Sequence, residues 1–258
     1  AGMLPVSFPS LQKLNTFVVA IYDEVRGKYV YLDGSMDVPA LNVLPVELSV
    51  TKARILSADI PENKKWVNLQ EIPTNQIFMK ISANAQGNQI TGRRTTILKG
   101  YDALEYRKEY QTKDSLVNKQ ELVKEKLAIS NLKRTEMEDD FATIQEDFDF
   151  ILEAEKSEDH IYINPMLFPQ LTKNPFIQSE RILPVEFPYL YRLNLSCALT
   201  LPEGYEVEEI PHSQVVKTED GKLQCKYMIQ RNGNNVIVNY SFSLNSSVMP
   251  VSYTHLTL

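Results

Sequence analysis

Apolar residues along this chain recur mostly with a period of two, the spacing of a strand with one buried face. Phe17, Val19 and Ile21 alternate with Val18, Ala20 and Tyr22. Residues 29–32 return across a turn at 23–28, where Gly27 can supply a positive φ. The hairpin closes on Asp33-Gly34-Ser35. Residues 36–45 carry prolines without a clear period and read as an extended linker. Arg54 to Leu56 and Trp66 to Leu69 are short strand candidates around a polar loop.

From Ile77 the alternation strengthens: Ile77, Met79, Ile81 and Ala83 are separated by polar partners, residues 85–88 form a turn, and residues 89–98 run back. After Gly100-Tyr101-Asp102 the period changes. Residues 103–110 and 114–127 are rich in Leu, Glu and Lys and free of Gly and Pro, which predicts helices. In the second, Leu116, Val123 and Leu127 share a face and Asp114 is placed to cap. Strands are expected again after Asn131, with Phe148, Phe150 and Leu152 inward and Asp147 and Asp149 on the wet face. Residues 164–188 are proline-punctuated and read as a long irregular crossing. Three alternating strands close the chain, at residues 193–201, 223–229 and 236–244, with Asn232-Gly233-Asn234 as the hairpin turn between the last two.

The pattern predicts a mainly β (α+β) fold: an antiparallel β-sandwich with a short helical insertion at about residues 101–129, preceded by a β-hairpin. Residues 1–50 group as hairpin and linker, and residues 51–250 as the sandwich. Residues 251–258 can be encoded by DNA resembling a transposon-end sequencing adapter read in frame. They are expected to be an artefact, which leaves His255 without meaning and implies a natural chain continuing past Pro250. The opening Ala-Gly-Met-Leu-Pro-Val likewise reads as the interior of a longer protein.

Composition alters this picture little. The chain has 258 residues, 43% hydrophobic and 23% charged, ordinary values for a globular protein with a sizeable core. A formal charge of -6 argues against nucleic acid, whose phosphates need a basic face. No apolar run approaches the roughly 18 residues of a membrane helix, and no signal peptide is visible. Alternation points Cys197 and Cys225 toward the core. They read as buried free thiols; a disulfide would need neighbouring strands and an oxidising compartment.

Chemistry-bearing motifs are sparse. There is no phosphate-binding glycine loop. His160 and His212 are isolated and HExxH is absent, which disfavours zinc. The acidic residues from Glu136 to Asp159 lack the calcium-loop spacing with its central glycine. No metal or cofactor is expected.

The informative site is the hairpin. Strand, turn, strand and then a carboxylate resembles the end of the papain-like transglutaminase core. In that family a cysteine, a histidine and an aspartate form the triad, with the carboxylate orienting the imidazole. Residues 29–33 resemble the aspartate strand and put Asp33 at the third triad position. Residues 15–19 resemble the histidine strand, but Thr16 stands where histidine is expected, and threonine cannot act as a general base near neutral pH. The resemblance extends to large bacterial proteins, especially of Bacteroidetes, in which such a core is followed by a C-terminal β-domain of unassigned function. Residues 100–105 (GYDALE), 159–165 (DHIYINP) and 201–207 (LPEGYEV) resemble that domain's helix start, middle strand and late turn.

Two functions follow as expectations. One is a non-catalytic binding or structural β-domain of a bacterial envelope protein, periplasmic or at the cell surface by the resemblance, with a protein or glycan partner. The other is the C-terminal part of an active Cys-His-Asp thiol enzyme (protease, amidase or transglutaminase) whose nucleophile lies upstream. For Asp33 itself, a turn residue closing the strand end is the alternative to a triad remnant.

Overall fold

A computed structural model describes residues 16–70, 74–112, 126–137, 140–170 and 182–251. The first elements are the expected hairpin, β1 (Val19–Asp23) and β2 (Lys28–Leu32), with Val19 opposite Leu32 and Ile21 opposite Val30. Its turn is held by the Asp23 carboxylate, whose Oδ1 accepts the N–H groups of Val25 and Arg26 at 3.0 Å each. A second short pair follows, β3 (Ala53–Arg54) with β4 (Trp66–Val67). Tyr31, Leu44 and Leu69 form one buried cluster, joined by Val18, Ala20, Tyr29, Val50, Ala53 and Val67. This cluster draws on residues from both sides of position 50.

The long strands come next: β5 (Thr74–Gln86), β6 (Gln89–Lys99), then helix α1 (Tyr101–Thr112), β7 (Leu127–Met137) and β8 (Asp140–Glu153). The short strands β9 (Glu155–Ser157) and β10 (His160–Tyr162) pair with each other, and β11 (Val185–Glu186) pairs with a strand at the far end. The remaining strands are β12 (Leu190–Thr200), β13 (Gln214–Lys217), β14 (Leu223–Asn232), β15 (Asn235–Leu244) and β16 (Val248–Met249). Gly233, at φ 58°, makes the tight β14–β15 turn that a side chain would strain.

The fold is mainly β, as the periodicity predicts, with one α-helix among the described residues. One detail differs. Seven long strands and the short β13 share a single hydrogen-bonded sheet in the order β13-β14-β15-β12-β5-β6-β8-β7. All neighbours are antiparallel except β12 and β5, which run parallel, with Leu193 opposite Ile77 and Cys197 opposite Ile81. The pairing is therefore not antiparallel throughout: two four-stranded antiparallel halves meet at a parallel seam. Parallel neighbours need a long crossover, and everything between Gln86 and Leu190 supplies it.

One face of this sheet carries the core. Met79, Ile81, Ala83, Phe148, Phe150, Leu195, Cys197, Leu199, Val236 and Val238 are buried in one cluster. Residues 163–168, just after β10, fold over it, with Leu167 buried and the Phe168 ring edge-on to Phe150 at 4.9 Å.

Three local expectations need correction. The helical insertion does not reach residue 129, because Leu127 and Ile129 turn toward the core as alternate residues of β7. A leucine at position 127 satisfies both periods, and sheet pairing with β8 decides between them. The second expected helix otherwise falls on residues 113–125, outside those described. Asp147 holds the outward position expected beside the inward Phe148 and Phe150 but is not wet: it is 8% exposed, because Thr95 and Gln145 close over its carboxylate at 2.6 and 2.7 Å. Residues 36–45 are not a free spacer either. Ala40, Val43 and Leu44 are buried, Ala40 and Val43 against Leu104 of α1, and the Leu44 carbonyl accepts the Tyr189 hydroxyl at 3.1 Å.

Helix α1 is pinned at its start by groups outside it. The Tyr101 N–H donates to the Asn75 side-chain Oδ1 at 2.7 Å, and the Gly100 N–H donates to the Ala142 carbonyl at 2.8 Å. These contacts satisfy first-turn donors that a helix cannot satisfy internally. They tie α1 to β5 and to the chain leading through β8.

Candidate functional site

Asp33 lies immediately after β2 and is 5% exposed. Its Oδ1 accepts both the backbone N–H of Ser35 at 2.9 Å and the Ser35 hydroxyl at 2.7 Å. This is an aspartate folded onto its own turn, the geometry that short acidic side chains favour at strand ends. Thr16 is exposed, ahead of β1. No histidine is brought to the turn as a hydrogen-bond partner of Asp33 among the described residues. His160 sits in β10, with Nε2 3.1 Å from the Glu208 carboxylate and its ring stacked on Tyr162. His212 lies in the exposed stretch before β13.

The chain's thiols do not complete the constellation. Cys197 is fully buried in the middle of β12, between Ile81 and Val238, and Cys225 is half-buried on β14. Both are free. Burial pushes the Cys197 thiol up to about 12, so it stays protonated and unreactive at neutral pH. In native protein at pH 8, Cys197 is expected to resist Ellman's reagent and to react on unfolding in guanidinium. Peptide mapping after alkylation checks this, and rapid native labelling of Cys197 would contradict its placement.

The hairpin also has an outward apolar face. Phe17 is 87% exposed, and Val19 and Ile21 are also exposed, while the alternate residues Val18, Ala20, Tyr29 and Tyr31 pack inward. Among the described residues, no group of three or more His, Cys, Asp or Glu is arranged to hold a metal ion.

A second site lies on the outer face of the large sheet, and strand-by-strand reading missed it. An open groove of about 500 Å³ crosses β14, β15, β12, β5 and β6. The registers stack its side chains in rows. Lys226 lies opposite Ser241, Ser241 opposite Asn194, Asn194 opposite Phe78, and Phe78 opposite Ile97. In the next row Met228, Asn239, Ser196, Lys80 and Thr95 follow in the same order. Across β13, β14, β15, β12, β5 and β6 the outward positions hold Lys217, Lys226, Arg192, Lys80, Arg93 and Lys99, but no Asp or Glu. On a chain of formal charge -6 this part of the face is basic, and the next strand, β8, brings Asp147, Asp149 and Glu153 to the outward positions beside it. The signal was present at the polar positions of the alternating strands, but assembling it requires the strand order.

A family model, a domain of unknown function (DUF3858), matches residues 159–256. The match covers β12 through β15, one half of the sheet, and stops short of the hairpin and of β5 to β8. No curated protein and no solved structure matches the chain.

Proposed function

We propose that this chain is a non-catalytic binding or structural β-domain of a transglutaminase-like bacterial envelope protein, with Asp33 surviving as a turn residue rather than a working triad member. The observation that carries the reading is the turn itself: one oxygen of the buried Asp33 carboxylate accepts two hydrogen bonds from Ser35, which engages the side chain in its own turn. Thr16 at the position where histidine is expected points the same way. The resemblance places the parent in the periplasm or at the cell surface, with a protein or glycan as partner. Among the described residues no helix is long and apolar enough to cross a membrane.

The chain is expected to show no turnover of amide substrates and no amine–glutamine cross-linking. Asp33→Ala should cost about 1 kcal/mol of stability, the worth of the turn's hydrogen bonds, and change nothing in those assays. Turnover that disappears in Asp33→Ala would instead support the competing reading, the C-terminal part of an active thiol enzyme.

A further inference from the structure

We infer that the outer face of the large sheet is a binding surface for an acidic polysaccharide, a chain of carboxylated or sulfated sugars lying in the groove over Phe78. The inference rests on the binding-module reading and names the ligand class for it.

Charge comes first. Lys80 and Lys226 point outward into the groove, and neither makes a salt bridge among the described residues. Among the described residues no carboxylate lines the groove beside these cations. The nearest acids toward β8 are already engaged: Asp147 by Thr95 and Gln145, and Asp149 by Arg93 at 4.0 Å. Two groove lysines without a counter-ion among the described residues give an anion a local site of attraction on a protein of net negative charge.

Spacing comes next. Lys226 on β14 and Lys80 on β5 are separated by β15 and β12 and offset by one row. At about 4.8 Å per strand and about 7 Å per row, their Cα atoms are about 16 Å apart. One small anion cannot reach both, whereas a polymer with a charge on each repeat can.

The remaining lining selects among polymers. Phe78 is 38% exposed, with Asn194 on one side and Ile97 on the other. An aromatic face beside amides and hydroxyls suits a sugar ring, which has an apolar face and a polar rim. Ser196, Asn239 and Ser241 supply further neutral donors and acceptors. An acidic peptide fits less well. Peptides gain affinity on sheets by pairing main chain along an edge, and this groove lies on a face whose backbone groups are already paired between neighbouring strands.

Native affinity electrophoresis tests this, with polygalacturonate as the acidic sugar polymer, dextran as the neutral one and poly-L-glutamate as the acidic peptide. The 258-residue chain is expected to be retarded by polygalacturonate, less so as salt rises, and not by dextran. Lys80→Glu combined with Lys226→Glu should weaken retention at least tenfold, and Phe78→Ala several-fold. Lys64→Glu, on an exposed residue of a short 3-10 turn outside the large sheet, should leave retention unchanged. Circular dichroism guards against misfolding, with Lys80→Gln/Lys226→Gln as a milder pair expected to weaken retention in the same direction. Absence of retardation by polygalacturonate overturns the inference. So does retention insensitive to the lysine and Phe78 variants, or equal retention by poly-L-glutamate that Phe78→Ala leaves intact. Because this readout is binding and the previous one is turnover, failure of the ligand assignment and failure of the non-catalytic reading remain distinguishable.

Discussion

Replacing Gly92 with alanine should destabilise the chain by about 2–3 kcal/mol, although it adds a single methyl group. Gly92 lies inside β6, between Ala83 of β5 and Phe150 of β8. A Cβ there would stand 2.4 Å from the Ser82 carbonyl oxygen, 2.8 Å from the Phe150 ring and 2.9 Å from the Ala83 Cα. The ring can turn, but two of these contacts are backbone, and relieving them means prising β5 from β6 near the centre of the sheet. A strand glycine of this kind marks close approach rather than a turn. The space above it is filled by Phe150, which is 2% exposed and packs edge-on against Phe168. Gly34→Ala is the control: nothing lies within 4 Å of its Cβ position, so its cost should stay within about 0.5 kcal/mol. Urea midpoints at constant m-value measure both. Equal stability of the two variants would show that β5 and β6 do not approach as closely as described.

The second large effect is expected at Glu146, which points from β8 into the interior at 2% exposure. Its carboxylate accepts from Arg94 at 3.1 Å and forms a close hydrogen bond with the Tyr106 hydroxyl of α1. Arg134 Nε donates to the same hydroxyl at 3.1 Å, and the Arg94 guanidinium lies over the Phe148 ring at 4.5 Å. The carboxylate thus joins helix, β6 and β8 through charged groups largely withdrawn from water. Glu146→Ala removes the acceptor that Arg94 and Tyr106 share, and breaking a buried pair in this way costs about 3–5 kcal/mol. At this chain length that lowers Tm by roughly 6–20 °C. Glu146→Gln keeps the shape and one acceptor and should cost less. Tyr106→Phe should cost about 1 kcal/mol alone and less in the Glu146→Ala background, because the two act through one hydrogen bond. Additive losses would place Tyr106 outside the network.

The candidate site was legible in the chain to an uneven degree. Asp33 is where the hairpin pattern puts it, but the partner of its carboxylate could not be read from the pattern. Ser35, two residues on, captures it. The groove was hidden although Phe78, Lys80, Asn194, Ser196, Lys226 and Met228 lie at outward positions of strands that the alternation reveals. Lys80 and Lys226 are 146 residues apart in sequence and become neighbours on one face only once β12 and β15 are placed between β5 and β14.

What the amino-acid order determined by itself is local. Alternation along β5, β6, β12, β14 and β15, with turn residues such as Asn232-Gly233-Asn234, specifies strand, turn and inward face, because these depend on neighbours a few residues away. The inward placement of Cys197 follows from the same rule. What the tertiary structure alone decided is which distant strands meet. The parallel seam joins Ile77 to Leu193 across more than a hundred residues, and no local period encodes that choice. It also decided the burial of Asp147 beneath Thr95 and Gln145, the packing of Val43 against α1, and the capping of α1 by Asn75. Each depends on side chains brought in from another strand, so its free energy exists only after the sheet has assembled.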